Sequence, residues 1–335
     1  MMNNSNTWAL VLAAGEGSRL RSLTTTPGGL SVPKQFCSLV GGPSLLQEAL
    51  HRAEAVAPRQ RICTVVAAQH RRWWEGPLWS LPDANIIVQP ENCGTANGIL
   101  LPLLHIIERD PDARVVLLPS DHHVRDEAVL ARALRQATSL VSGHSEHILM
   151  LGVEPEELDP ELGYILPSYS DRRGAFHIAQ FVEKPSITLA RQLIDRGAMW
   201  NVFMLVGAAR LFVQLIEQRY PEIVMEMRAV VKRDASYPND AIAAADLYDR
   251  LPDLDFSRHI VEGNEDHFRV LPVAPCGWSD LGTPQRVADT LRRLSDRSAA
   301  VETAVAATAY LNLAAQHARL QYANCSLACC AARLR

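Results

Sequence analysis

The 335-residue sequence carries 33 Lys and Arg against 37 Asp and Glu, a formal net charge of −4, with 48% apolar and 21% charged residues. That balance supplies no broad positive field for a nucleic acid or an anionic membrane, so a phosphate ligand must be held by loops, a few basic side chains and a metal. The length suits one large α/β domain or two smaller ones, with room for a sizeable core.

The first apolar run, Trp8–Ala14, ends at Gly15 and reads as a buried parallel strand. Gly15–Thr26 reads as a loop rich in Gly, Ser and Thr. Helical periodicity follows over Ser44–Ala57, then strands at Ile62–Ala68 and Ala84–Val88. Thr95–Arg109 reads as a helix that Thr95 can cap and that Pro102 should kink or displace. A strand at Ala113–Leu118, a helix at Asp126–Val141 and a strand at Ile148–Val153 complete a half in which strands and helices alternate, the pattern of a parallel sheet covered on both faces. In the second half, strands are expected at Tyr164–Pro167, His177–Val182, Trp200–Val206 and Phe268–Val273. Ser186 caps a helix reaching Arg196, helical patterns follow Val206 as far as Lys232, and Thr283-Pro284 opens another helix. Asp234–Asp249 reads as a mobile loop or insertion.

From Ser298 the chain is Ala-rich and helical, so residues 1–297 read as one unit and 298–335 as a helical tail packing on it or on a second subunit. Cys325, Cys329 and Cys330 lie in that tail without a partner His or second Cys pair, and read as part of an amphipathic helix. The seven cysteines follow no repeated short spacing, Met1–Asn6 lacks the pattern of a signal peptide, and no apolar run is long enough to span a bilayer. The expected location is the cytoplasm.

The chemistry concentrates in Leu12-Ala13-Ala14-Gly15-Glu16-Gly17-Ser18-Arg19-Leu20, where a strand runs into a glycine loop. Glycines let backbone N–H groups approach phosphate oxygens, and Arg19 adds a planar donor fork. A dinucleotide fold would want a third glycine running into a helix and an acid about twenty positions on; a Walker loop would end in Gly-Lys-Ser/Thr. Both are absent. Val32-Pro33-Lys34-Gln35-Phe36 follows, with Lys34 placed to meet a phosphate.

Leu12–Leu20, Pro33-Lys34-Gln35-Phe36 and Gly42-Pro43-Ser44-Leu45-Leu46-Gln47 together closely resemble the sugar-phosphate nucleotidyltransferases, most of all the mannose-1-phosphate guanylyltransferase branch. The resemblance covers roughly residues 8–292. It implies a Rossmann-like, GT-A-like α/β fold: a mixed, mostly parallel sheet flanked by helices. It places Leu12, Ala14, Gly15, Gly17, Arg19 and Lys34 around the triphosphate, and Gln89, Gly94 and Thr95 in a base-recognition loop. Gln89 and Cys93 stand where that branch usually has Glu and Arg.

Leu117-Leu118-Pro119-Ser120-Asp121-His122-His123 ends a strand at the sheet edge where open α/β folds bind ligands. The resemblance makes Asp121 a Mg²⁺ ligand, which suits its hard oxygens. Adjacent His122 and His123 diverge on an extended backbone, so His122 reads as a phosphate-contacting or supporting group. Cys276-Gly277-Trp278-Ser279-Asp280-Leu281-Gly282 resembles the element supplying the second metal carboxylate, Asp280. Gly163-Tyr164-Ile165, Phe181-Val182-Glu183-Lys184-Pro185 and Trp200-Asn201 resemble the sugar-phosphate side, with Val202 and Phe203 replacing the usual small residues.

The implied reaction joins a nucleoside triphosphate to a sugar 1-phosphate, GTP and mannose 1-phosphate first, with Arg19, Lys34, Asp121 and Asp280 as its machinery and no nucleic acid or membrane partner. A homo-oligomer is compatible with it. Three other readings stay open: another base and hexose pair, a sensor that keeps the pocket without catalysis, and an NAD(P)-binding oxidoreductase.

Overall fold

A computed structural model of the chain describes residues 6–26, 28–141, 146–171, 173–236 and 241–295. The expected tail at 298–335 and its cysteines lie outside them. In chain order the strands are β1 (Thr7–Ala13), β2 (Ile62–Ala67), β3 (Ile86–Gln89), β4 (Arg114–Pro119), β5 (His123–Val124), β6 (Ile148–Val153), β7 (Gly163–Ser170), β8 (Phe176–Glu183), β9 (Met199–Ala208), β10 (Phe268–Val273) and β11 (Trp278–Ser279). The helices are α1 (Arg21–Thr24), α2 (Leu45–Glu54), α3 (Arg71–Leu78), α4 (Gly94–Arg109), α5 (Glu127–Leu140), α6 (Ile187–Asp195), α7 (Ala209–Arg219), α8 (Pro221–Ser236), α9 (Ala241–Tyr248) and α10 (Pro284–Ser295).

Nine strands form one mixed sheet in the order β3-β2-β1-β4-β9-β6-β10-β8-β7, and β5 pairs with β11 as a separate ribbon. The first half is parallel across β3-β2-β1-β4. Antiparallel β9 joins it to the second half, and β7 pairs back onto β9, closing β9, β6, β10, β8 and β7 into a ring. Strand alternation sorts the core onto the two faces. Ala9, Val11 and Ala13 of β1 pack with α2 and α5, whereas Trp8 and Leu10 pack with α4 and α7. Between α2 and α5, the guanidinium of Arg52, 2% exposed, grips Glu127 through Nε at 3.1 Å and Nη2 at 2.6 Å.

Several local expectations need correction. The loop expected over Gly15–Thr26 contains a 3₁₀ turn and α1, because Leu20 and Thr24, four apart, share one buried face. The third strand starts two residues later than expected, after a turn at Asp83–Asn85. Asp234–Asp249 holds the end of α8 and all of α9, whose Leu247 and Tyr248 are buried. Helix α4 runs unbroken through Pro102. Thr95 lies inside its first turn rather than capping it: its hydroxyl accepts from Phe256 N–H at 2.7 Å, and Ala96 N–H donates to the Leu254 carbonyl at 2.8 Å. Among the described residues, no helix is long and apolar enough to cross a membrane.

Gly94 opens α4 at φ +87°, and a Cβ there would sit 2.6 Å from the Leu254 amide nitrogen and also strike Asp253. Both the left-handed backbone and the packing favour glycine. Gly94→Ala is expected to lower unfolding free energy by about 1–3 kcal/mol in urea titrations; an unchanged midpoint would refute this packing.

Candidate active site

The loop after β1 is held open by specific bonds. Gly17 adopts φ +61°, and a Cβ on it would sit 2.8 Å from the Lys34 amide nitrogen, so glycine lets the two segments touch. Gln35 Nε2 donates to the carbonyls of Ala13 at 3.0 Å and Gly15 at 2.8 Å. Ser120 ties the end of β4 to β1, its hydroxyl donating to Leu12 O at 2.6 Å.

The two aspartates expected to act together are brought together. The β5–β11 ribbon pairs His123 with Ser279 and Val124 with Trp278, which sets Asp121 and Asp280 at its ends. Lys34 Nζ joins them, donating to Asp121 Oδ2 at 2.8 Å and to the Asp280 carbonyl at 2.7 Å. Burial works against the Asp121 charge, yet Lys34 and, less, His122 hold its pKa below the ordinary carboxylate value. Burial pushes the pKa of His122 down to about 4, Lys34 adding to the effect and Asp121 opposing it. The ring is therefore neutral at pH 7. Its Nδ1 accepts from Trp278 Nε1 at 3.2 Å, so the proton sits on Nε2, 3.7 Å from Asp121 Oδ1.

Sequence reasoning did not anticipate Arg286. From α10 its Nη1 reaches Asp280 Oδ1 at 2.6 Å and Asp159 Oδ2 at 3.3 Å. Gly282 N–H also donates to Asp280 Oδ1, at 3.0 Å, which leaves Asp280 Oδ2 as the remaining oxygen. Among the described residues no three His, Cys, Asp or Glu converge as a metal site. Two carboxylates still suit a hard dication whose other ligands are phosphate oxygens and water.

A cavity of about 240 Å³ opens above this cluster. Leu12, Ala14, Gly15, Gly17, Gln89, Gly94, Thr95, Asp121 and His122 line it, whereas Lys34, Asp280 and the expected sugar-side residues do not. Gln89 is 1% exposed and its Oε1 has no hydrogen-bond partner. A buried amide acceptor without a partner costs free energy until a donor reaches it. Gln35, Asn92 and Phe203 also line the cavity and were not singled out as ligand contacts in the sequence.

The expected sugar-side residues are only partly gathered. Gly163 lies against Glu183 and Asn201, with no room for a Cβ. Asn201 is 7% exposed and its Oδ1 accepts from Phe203 N–H at 2.9 Å, so Nδ2 is the end left for a ligand. Tyr164 requires correction. It is fully buried, its hydroxyl donates to the Asp159 carbonyl at 2.9 Å, and it supports the site from within the core. Arg19 is absent from the cavity wall and pairs instead with Glu161 at 3.5 Å. Lys184 is exposed. Non-glycine residues with positive φ among those described are Lys184, Phe203 and Leu281, at +50°, +54° and +51°. Each lies one or two residues from Glu183, Asn201 or Asp280. Such strain costs on the order of 1–3 kcal/mol per residue and collects where ligands are held.

Residues 8–297 match the nucleotidyl transferase family, and the chain belongs to it. It is similar to the alginate biosynthesis protein AlgA of Pseudomonas syringae pv. tomato, at 27% identity over 82% of this chain and 56% of that protein. It is also similar to mannose-1-phosphate guanylyltransferase 2 of Escherichia coli O157:H7, at 27% identity over 86% of this chain and 60% of that one. The chain thus spans little more than half the length of the curated relatives it matches. Among solved structures, one described as mannose-1-phosphate geranyltransferase from Thermus thermophilus superposes with a TM-score of 0.70 at 22% identity, covering 85% of this chain and 79% of that one. UDP-glucose pyrophosphorylase bound to UDP-glucose superposes at 0.56 with 14% identity, covering 87% and 99%. These superpositions establish the shared nucleotidyltransferase fold.

Burial first, then Asp255 and Glu262, push the Glu183 carboxyl up to about 7, against Lys184 and a bond from Ser257. The folded pKa exceeds the ordinary 4.5, so the folded chain binds the extra proton. This group's stabilisation is complete below pH 4.5 and is lost as pH rises to about 7. Urea midpoints of wild type and Glu183→Gln should coincide at low pH and separate towards pH 8, with the variant the more stable. A gap independent of pH would sink this assignment.

Proposed function

We propose that residues 1–297 form a catalytic unit that joins a nucleoside triphosphate to a sugar 1-phosphate and releases pyrophosphate, with GTP and mannose 1-phosphate as the substrate pair. One observation carries the reading: a buried ammonium, Lys34, bridges Asp121 and Asp280 at the edge of a glycine cradle. The relatives' names support the choice of mannose 1-phosphate.

In this reaction a phosphate oxygen of the sugar 1-phosphate attacks the α-phosphorus, a new P–O bond forms, and the bond to the bridging oxygen breaks as pyrophosphate leaves. The attacker is already anionic, so no general base is required. The demand is electrostatic: two anions must meet, and charge must be held as it moves to the leaving group. The backbone N–H groups of the Gly15–Gly17 loop cradle the triphosphate. Lys34 then exchanges part of its bonding to Asp121 for phosphate oxygens, and Arg19 closes on them. Lys184 meets the sugar phosphate, while Glu183 and Asn201 Nδ2 meet its hydroxyls.

Asp121 and Asp280 are the residues that would hold Mg²⁺, which when bound neutralises phosphate charge and templates the approach. Arg286 and Gly282 fix the Asp280 carboxylate for this purpose. The unpartnered Gln89 Oε1 calls for a donor on the base edge, and guanine offers N–H donors there. The same amide also suits other bases, which keeps a different base and hexose pair as the second reading.

The first test is pyrophosphate release from a panel of four triphosphates against several sugar 1-phosphates, with Mg²⁺ present. GTP with mannose 1-phosphate should give the highest kcat/KM, and a chelator should abolish it. Preference for another pair selects the second reading; silence across the panel with tight nucleotide binding selects a sensor. A second test takes Asp280→Ala and Lys34→Ala. Each should lower kcat/KM by about 10²-fold or more while keeping a cooperative unfolding transition. Turnover near wild type in either variant removes that residue from the machinery.

A further inference from the structure

Phe203 is the residue in the cavity that the phosphate chemistry does not explain. It lies on β9 two residues after Asn201, in the element where the sequence has bulky residues in place of small ones. Its backbone is left-handed, φ +54°, a conformation that a bulky side chain adopts only under constraint. Three contacts supply the constraint. The Phe203 N–H is held by Asn201 Oδ1 at 2.9 Å. Its ring stands edge-on to Phe256 with centroids 6.3 Å apart. Phe256 is in turn fixed by its N–H bond to the Thr95 hydroxyl. The result is an aromatic ring in the wall of the cavity that Thr95 and Asp121 also line.

A glycine at this position would relieve the backbone and widen the cavity. A phenylalanine keeps the strain and narrows the cavity, while its ring also packs against the core beside Phe256. We propose that Phe203 is a specificity-determining residue that sets a size limit on the sugar 1-phosphate, admitting plain hexose 1-phosphates and excluding those enlarged by an acylamino substituent. Asn201 links the ring to the proposed sugar contacts: the amide whose Oδ1 holds the Phe203 backbone keeps its Nδ2 for a ligand. This inference rests on the assignment of the cavity to a triphosphate and a sugar phosphate.

The test compares kcat/KM for a hexose 1-phosphate and its 2-acetamido counterpart in wild type, Phe203→Gly and Phe203→Ala. Wild type should prefer the plain hexose by at least about tenfold, the usual cost of excess bulk in a fitted pocket. Both variants should reduce that ratio by about tenfold or more. Phe203→Gly should also melt higher than Phe203→Ala, since only the glycine relieves the backbone. A ratio within threefold of wild type in a folded Phe203→Gly protein would overturn the proposal. Should wild type release no pyrophosphate with any pair, the catalytic reading fails on its own. Calorimetric binding of the two sugar 1-phosphates then decides, and an unaltered preference between them in Phe203→Gly overturns the role of Phe203.

Discussion

The position of one ammonium group governs the rest of the site. Lys34 Nζ is buried, its side chain 9% exposed, and it donates to a carboxylate from β4's end and to a carbonyl beside β11. A buried charge without partners would cost several kcal/mol. The lysine, the acidic strand end and the second acidic turn therefore hold one another in place. The segments come from widely separated parts of the chain, and the fold's task is to deliver them to one point. Parallel pairing of β1 with β4 sets the first two edges, Gly17 lets the Lys34 segment lie against the loop, and the β5–β11 ribbon brings in the third.

Around that ammonium runs a continuous polar chain. Trp278 donates to His122, His122 faces Asp121, and Asp121 accepts from Lys34. Lys34 reaches Asp280, Asp280 is gripped by Arg286, and Arg286 reaches Asp159, whose backbone binds the Tyr164 hydroxyl. The chain connects the acidic pair to β7. The links at Arg286 and between His122 and Asp121 are electrostatic contacts rather than hydrogen bonds, and the low local dielectric strengthens such contacts and raises the cost of losing one. Tyr164 thus contributes through position, several bonds away from the cavity it was expected to line.

The elements legible in the sequence were those with one dominant signal. The apolar run of β1, the Ser186 and Thr283 caps and the alternating first half carry their own periodicity. The site residues legible there were those in dense local motifs, Gly15–Gly17, Pro33–Phe36 and Trp278–Asp280. What escaped depends on contacts distant in sequence. Arg286 reads as an ordinary basic residue on an amphipathic helix, and its pairing with the remote Asp159 shows that it faces inward. Thr95 has the composition of a cap, but the Leu254–Phe256 segment takes over the helix start. Helix α9 lies in a stretch with weak signals, and its order comes from burying Leu247 and Tyr248.

Of the departures from the family pattern, Gln89 and Phe203 line the cavity and Cys93 does not. In the proposed reaction Lys34, Asp121 and Asp280 would meet requirements set by phosphate, which every substrate pair shares, so changing any of them would change the electrostatics of the common step. Gln89 and Phe203 line the cavity, where, on the function proposed above, one altered side chain would exchange one ligand for another without disturbing the charges beneath. Cys93 falls outside this division: its thiol points to the Tyr248 carbonyl at 3.6 Å, so that position serves packing of α9 rather than the ligand. A fold that separates shared charge from private shape can vary its substrates while keeping its chemistry, and the strain stored at Phe203 lies on the variable side of that boundary.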